Sequence, residues 1–155
     1  MKAVIQRVAH ARVTIVEEPD GASVVPPRVS GEIGRGMLVF VCVLRGDTAE
    51  TARALAERIA SFRFFPDERG RMNRSALDEG LEALVVSQFT LAADGRKGRR
   101  PSFDQAAPPE EARGLYGEFV RALGAAGVSV RTGVFAASMQ VDLRNDGPVT
   151  FVLEE

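Results

Sequence analysis

A chain of 155 residues, 45% of them apolar and 26% charged, is long enough to bury a sizeable core and has the composition of one soluble globular domain spanning residues 1–155. Its net charge of −1 exerts no global pull on nucleic acid, so an RNA contact needs a local basic patch. The single cysteine excludes a disulfide framework and a cysteine zinc cluster, and no apolar run approaches the roughly 18 residues of a membrane span; with an N-terminus charged too early for a signal peptide, the expected location is the cytoplasm.

In chain order, residues 3–8 and 12–16 read as two short strands joined tightly through Ala9, His10 and Ala11. Residues 17–27 carry Pro19, Asp20-Gly21 and Pro26-Pro27 and read as a hairpin loop. Residues 29–33 lead through Gly34 and Gly36 into the continuous apolar run 37–44, the pattern of a strand buried on both faces. Asp47 has the chemistry of an N-cap, with Glu50 three residues on as in a capping box. Ala52, Leu55, Ala56 and Ile59 then fall on one helix face.

Residues 62–65 read as a short strand ended by Pro66, 67–80 as polar and turn-rich, and 81–89 as a second fully buried strand. After a long loop, 94–109, Pro109, Glu110 and Glu111 suit the first turn of a helix. Its apolar stripe is Ala112, Leu115, Tyr116, Phe119 and Leu123, and Gly124 and Gly127 end it. Residues 128–132 read as a strand. Met139, Val141 and Leu143 alternate with polar residues in a half-buried one. Asn145-Asp146-Gly147-Pro148 is turn chemistry, followed by a final strand at 149–153. The order predicts an α+β fold: a curved, mostly antiparallel, barrel-like sheet with two main helices packed against it.

Three stretches could carry chemistry. Ser87-Gln88-Phe89-Thr90-Leu91 ends a buried strand with two hydroxyls and an amide, which either find partners locally or line a pocket. Arg96, Lys97, Arg99 and Arg100 put four cations in five residues, a solvated loop or a grip on phosphates. Gly147-Pro148, nearly bare of side chain, is either an ordinary turn or a rigid corner whose carbonyls are aimed at something. His10 is the sole histidine and Cys42 lies in a core strand, so neither a Cys–His pair nor a Ser–His–Asp triad is expected. No metal cluster and no cofactor are expected.

Taken together, residues 87–91 and Asn145-Asp146-Gly147-Pro148-Val149-Thr150 resemble the two signature motifs of the D-aminoacyl-tRNA deacylases. The likeness runs along the chain: the opening residues 1–8, Gly70-Arg71-Met72-Asn73, Lys97-Gly98-Arg99-Arg100-Pro101-Ser102-Phe103 and Thr132-Gly133-Val134-Phe135. The resemblance implies a homodimer that hydrolyses the ester joining a D-amino acid, or glycine mischarged on an alanine tRNA, to the terminal adenosine. It implies a cis Gly147–Pro148 bond whose carbonyls enter the partner's pocket and exclude L side chains. Ser87 and Gln88 would orient the substrate, the amides of Phe89 and Thr90 would stabilise the oxyanion, and the ribose 2′-hydroxyl would assist an attacking water.

Phe135 and Met139 would lie by the adenosine pocket or the dimer contact. Thr90 as a covalent nucleophile, a non-catalytic RNA-binding module, and a related deacylase for a small L-amino acid, with a trans Gly-Pro bond, are the alternatives. The chain departs from the family pattern at Ala136-Ala137-Ser138, at Ala92 where tyrosine is usual, and in a longer loop at 17–27.

Overall fold

One strand, β1 (Lys2–Glu17), organises the sheet. Ala3, Ile5, Val8, Ala11, Val13 and Ile15 are all fully buried along it. The expected turn at 9–11 is absent. Ala9 and His10 are both exposed, and the register against the neighbouring strand slips on either side of Val8. A bulge breaks the alternation there without breaking the strand, and the sequence pattern does not distinguish the two. The computed structural model describes residues 1–96 and 98–155.

β2 (Ser23–Ile33) pairs antiparallel with the second half of β1, so the loop expected over 17–27 shrinks to a turn closed by Gly21 N–H donating to Glu18 O and Glu18 N–H to Ala22 O. Pro26 and Pro27 sit in this outer strand, where a missing N–H is tolerated. β3 (Gly36–Cys42) pairs antiparallel with the first half of β1. Beyond β3 the sheet turns parallel. A crossover carries α1 (Ala49–Ser61), the small hairpin β4 (Phe65–Pro66) and β5 (Met72–Arg74), and the single turn α2 (Ala76–Glu79). It leads to β6 (Glu82–Ser87), parallel to β3. A second crossover through α3 (Pro109–Ala125) leads to β7 (Ser129–Thr132), parallel to β6. The sheet is therefore mixed: antiparallel around β1, parallel through β3, β6 and β7.

β8 (Ser138–Glu154) runs antiparallel to the whole of β1, so the two strands expected at 139–144 and 149–153 are one. Gln6 pairs with Thr150 and Val8 with Asn145, leaving residues 146–149 opposite Arg7 alone. The sheet curls as a half-barrel, bringing β2 back against β6 and β7: a Cβ on Gly31 would stand 2.9 Å from both Leu84 Cδ1 and Thr132 O.

α1 and α3 cover one sheet face, burying Leu55, Ile59, Phe64, Phe65, Phe119 and Leu123 against Ile5, Met37 and Val39. The other face holds a smaller cluster of Val8, Ala11, Val13, Ile33, Leu38, Leu84 and Val86, rimmed by half-buried Phe40, Met139, Val141 and Leu143. Helix starts differ from expectation in two respects. Thr48, not Asp47, caps α1, in a reciprocal box with Thr51, because the Asp47 carboxylate instead takes the Met1 ammonium at 2.6 Å and the Leu44 N–H at 2.7 Å. Ser75 and Asp78 box α2 inside a stretch that reads as turn alone, and Gly80 ends it at φ 61°. Among the described residues no helix is long and apolar enough to cross a membrane.

Candidate active site

β6 delivers Ser87 to the end of the parallel pair, and the chain leaves it through Gln88, whose N–H donates to Val41 O at 2.8 Å. Phe89–Ala92 then make one 3₁₀ turn. The N–H groups of Phe89 and Thr90 open that turn, where a helix leaves its first donors unpaired. The turn is clamped from below. The Cys42 thiol lies 3.6 Å from Phe89 O, and burial pushes its pKa up, so it stays a neutral donor at neutral pH. From the side, the Gln88 amide donates to the Thr90 hydroxyl at 2.5 Å.

Above the turn opens a cavity of about 830 Å³. Ser87, Gln88 and Phe89 line one wall, with Phe103 edge-on to Phe89 at 5.1 Å; Phe135, Ala136, Ala137 and Met139 line another. Phe135 is held by its neighbours. Tyr116 packs 5.9 Å from its ring, the Arg113 guanidinium stacks 4.7 Å from the ring centre, and Tyr116 itself donates to Val85 O at 3.0 Å. Burial drives the Tyr116 phenol well above its ordinary pKa, so it stays protonated and keeps that donor. Gly133 makes room for Met139, since a Cβ there would stand 2.7 Å from its sulfur. Ala136, in the cavity wall, adopts φ 66°, left-handed backbone that costs an alanine about 1–2 kcal/mol.

Five of the expected site residues, Ser87, Gln88, Phe89, Phe135 and Met139, thus meet at one cavity, while Thr90 is not among its lining residues. Gly147 and Pro148 do not reach it either. The eight residue steps from Met139 to Gly147 along β8 span roughly 25 Å of strand. The Gly147–Pro148 bond is cis, as the resemblance implies, and both residues are exposed.

Their corner is braced by residues with roles that sequence reasoning missed. Arg7, only 12% exposed, donates through Nε to Asp146 O at 2.9 Å and through Nη1 to Phe64 O at 2.8 Å, and lies 3.3 Å from the Asp146 carboxylate. The Asn145 side chain accepts from Val149 N–H at 3.0 Å and reaches Val149 O and Thr150 Oγ1 at 3.3 and 3.4 Å. Glycine is required at 147, because a Cβ would fall 2.3 Å from Val149 N. A signal for Arg7 was available: Ala3, Ile5 and Arg7 share one strand face, and a cation on a buried face needs partners.

In the basic loop, Arg96 forks onto Asp94 with contacts of 2.6–3.1 Å, which holds the Asp94 carboxyl down to about 2. Arg99 and Arg100 are exposed, and Lys97 lies outside the described residues. His10 is exposed on β1 opposite Arg144, away from the cavity. Among the described residues no group of His, Cys, Asp or Glu could hold a metal ion.

Comparison with known proteins agrees with this architecture. The family model described as D-Tyr-tRNA(Tyr) deacylase matches residues 4–154. A D-aminoacyl-tRNA deacylase of Pelobacter propionicus is 54% identical over 154 residues, 99% of both chains. Among solved structures, the c-Myc DNA unwinding element binding protein superposes with a TM-score of 0.86 at 38% identity, covering 100% of this chain and 99% of that one. A structure described as a probable eukaryotic D-amino acid tRNA deacylase superposes with a TM-score of 0.82 at 16% identity, covering 99% and 98%, a likeness of fold alone. These likenesses define a class of small α+β proteins with a curled half-barrel sheet and helices on one face. Within that class the chain belongs to the D-Tyr-tRNA(Tyr) deacylase family.

Proposed function

We propose that this protein is a hydrolase that cleaves the ester of D-aminoacyl-tRNA, releasing the amino acid and free tRNA, in the cytoplasm where aminoacyl-tRNA is used. The observation carrying this reading is the cavity built over the Phe89–Thr90 turn, together with the family membership. Two main-chain donors at the edge of an apolar cavity suit the oxyanion of an ester under attack, and one such donor is worth about 10²–10³ in rate. Ser87 and Gln88 orient the substrate. Phe135 and Met139 hold the terminal adenosine.

No imidazole or lysine lines the cavity among the described residues, so a water attacks with help from the ribose 2′-hydroxyl. The Thr90 hydroxyl is taken up by Gln88 and has no base beside it, which disfavours a covalent mechanism. The Gly147-Pro148 corner acts in the cavity of a second copy. Two observations support this: a strand too long for the corner to serve its own cavity, and a half-buried apolar rim at Phe40, Met139, Val141 and Leu143. In that position its carbonyls meet an L side chain and leave a D side chain, or glycine, free. A 10⁴-fold preference requires about 5.5 kcal/mol, within reach of a clash with braced main chain. Arg99 and Arg100 approach the tRNA phosphates, with Arg96 already offset by Asp94.

The test is a paired deacylation assay with D-tyrosyl- and L-tyrosyl-tRNA. Release from the D form alone is expected. Equal rates, or release from the L form alone, would overturn the reading, and salt-dependent tRNA binding with no loss of the aminoacyl group would make the protein a binding module.

A further inference from the structure

Arg45 belongs neither to the two motifs nor to the basic loop, yet it lines the cavity, and it is the only charged residue to do so among those described. Its place is fixed by main chain. Arg45 Nε donates to Asp104 O at 2.7 Å and its own N–H donates to Gln105 O at 2.9 Å, which ties the end of β3 to the segment carrying Phe103. From the other side Asp47, held by the Met1 ammonium, accepts the Leu44 N–H.

The guanidinium itself is exposed and, among the described residues, has no carboxylate within 4 Å, whereas Arg7, Arg53, Arg74 and Arg96 all lie against one. With Nε engaged, the paired Nη donors remain for a planar, bidentate anion contact. An unneutralised arginine anchored by its backbone side at the mouth of an apolar cavity is a receptor for one phosphate.

On the deacylase reading, the cavity takes an aminoacylated terminal nucleoside, whose only phosphate is the diester on its 5′ side. We infer that Arg45 binds that phosphodiester and so sets how deeply the 3′ end enters. This inference rests on the proposed activity, and two measurements keep the two separable.

The first compares D-tyrosyl-tRNA with 3′-O-D-tyrosyl-adenosine, which has no phosphate. Arg45→Gln is expected to raise KM for the tRNA about ten-fold with kcat retained, the loss of one charge-assisted contact, and to flatten the dependence of log(kcat/KM) on log salt by about 0.7. Hydrolysis of the nucleoside ester should stay within two-fold of wild type. Arg45→Lys, which keeps the charge but gives up the Nε contact to Asp104 O and the paired Nη donors, should recover part of the lost affinity, and Arg121→Gln on α3, which removes an equal charge far from the cavity, should change nothing. Equal losses on both substrates, or no change on tRNA, would overturn the inference.

The second measurement needs no turnover: wild type should bind adenosine 5′-monophosphate more tightly than adenosine, and Arg45→Gln should erase the difference. If wild type proves inactive on D-tyrosyl-tRNA but shows that difference, the activity fails while the phosphate contact stands. If it is active and binds both nucleosides alike, the contact fails alone.

Discussion

In the proposed reaction Thr90 carries the most mechanistic weight of any single residue. Its hydroxyl accepts from the Gln88 amide, so its own proton has no imidazole or amine to receive it, while its N–H opens the 3₁₀ turn. Removing the hydroxyl leaves the amide in place. Thr90→Ala should therefore turn over D-tyrosyl-tRNA within about ten-fold of wild type, less than the 10²–10³ attached to an oxyanion donor. Complete loss with substrate binding intact, measured by single-turnover release, would make Thr90 the nucleophile. At this scale the residues of the turn are legible in the sequence, because hydroxyls and an amide at the end of an apolar run stand out. Arg7 and Arg45 are not, since their importance lies in what they meet: carbonyls at 64 and 104, distant in the chain. The basic loop illustrates the reverse. Four cations in five residues look like a phosphate grip, but Arg96 holds the carboxyl of Asp94, two residues away, down to about 2, so Asp94 is ionised at neutral pH and offsets one of them.

Among the elements, the four-residue bulge of β8 opposite Arg7 concentrates the selectivity proposed here. Asn145 closes it with three hydrogen bonds. Asn145→Ala leaves the strand pairing on either side but unbraces the corner, at a cost of about 1–2 kcal/mol. The expected result is a rise of about ten-fold in the L-to-D rate ratio, with D-tyrosyl-tRNA hydrolysis little changed and a modest fall in urea midpoint. Gly147→Ala is harsher, because its Cβ meets backbone 2.3 Å away that cannot rotate aside. Activity should drop by more than ten-fold while the far-UV circular dichroism stays native, the strain being confined to an exposed corner.

Strand count is the feature least legible in the sequence, for the same reason in β1 and β8. A bulge shifts the alternation as a turn does, and nothing local separates them. The helices were easier, since a 3.6-residue apolar stripe survives one misassigned cap.

For the molecule as a whole, two apolar faces receive unequal cover. The helices seal one, while the other keeps Phe40, Met139, Val141 and Leu143 half open beside the cavity. A second copy seated there would close the face and supply the corner. Leu143→Glu should then give a monomer by analytical ultracentrifugation, with deacylation lost even though Ser87, Gln88, Phe89 and Thr90 are untouched. A dimer of unchanged affinity, or an active monomer, would contradict the shared site. Runs 37–44 and 81–89, apolar without alternation, are legible as strands buried on both faces, but their parallel pairing as β3 and β6 is not part of the mostly antiparallel sheet expected, because each strand's direction is set by the crossover before it. The pocket between them and β8 is not legible either, because it depends on how far the sheet curls.

Arg7 joins the corner to the carbonyl of Phe64, whose ring sits with Phe62, Phe65 and Phe151 in the aromatic packing beneath. On the proposed function, the judge of handedness is thus moored to the interior that Phe64 and Phe65 share with Met37, Val39 and Val41 of β3, the strand that also holds the reacting turn. Heat that frees the phenylalanine rings then reaches both at once, because one core carries them. On that reading such an enzyme keeps its discernment for as long as it keeps its fold.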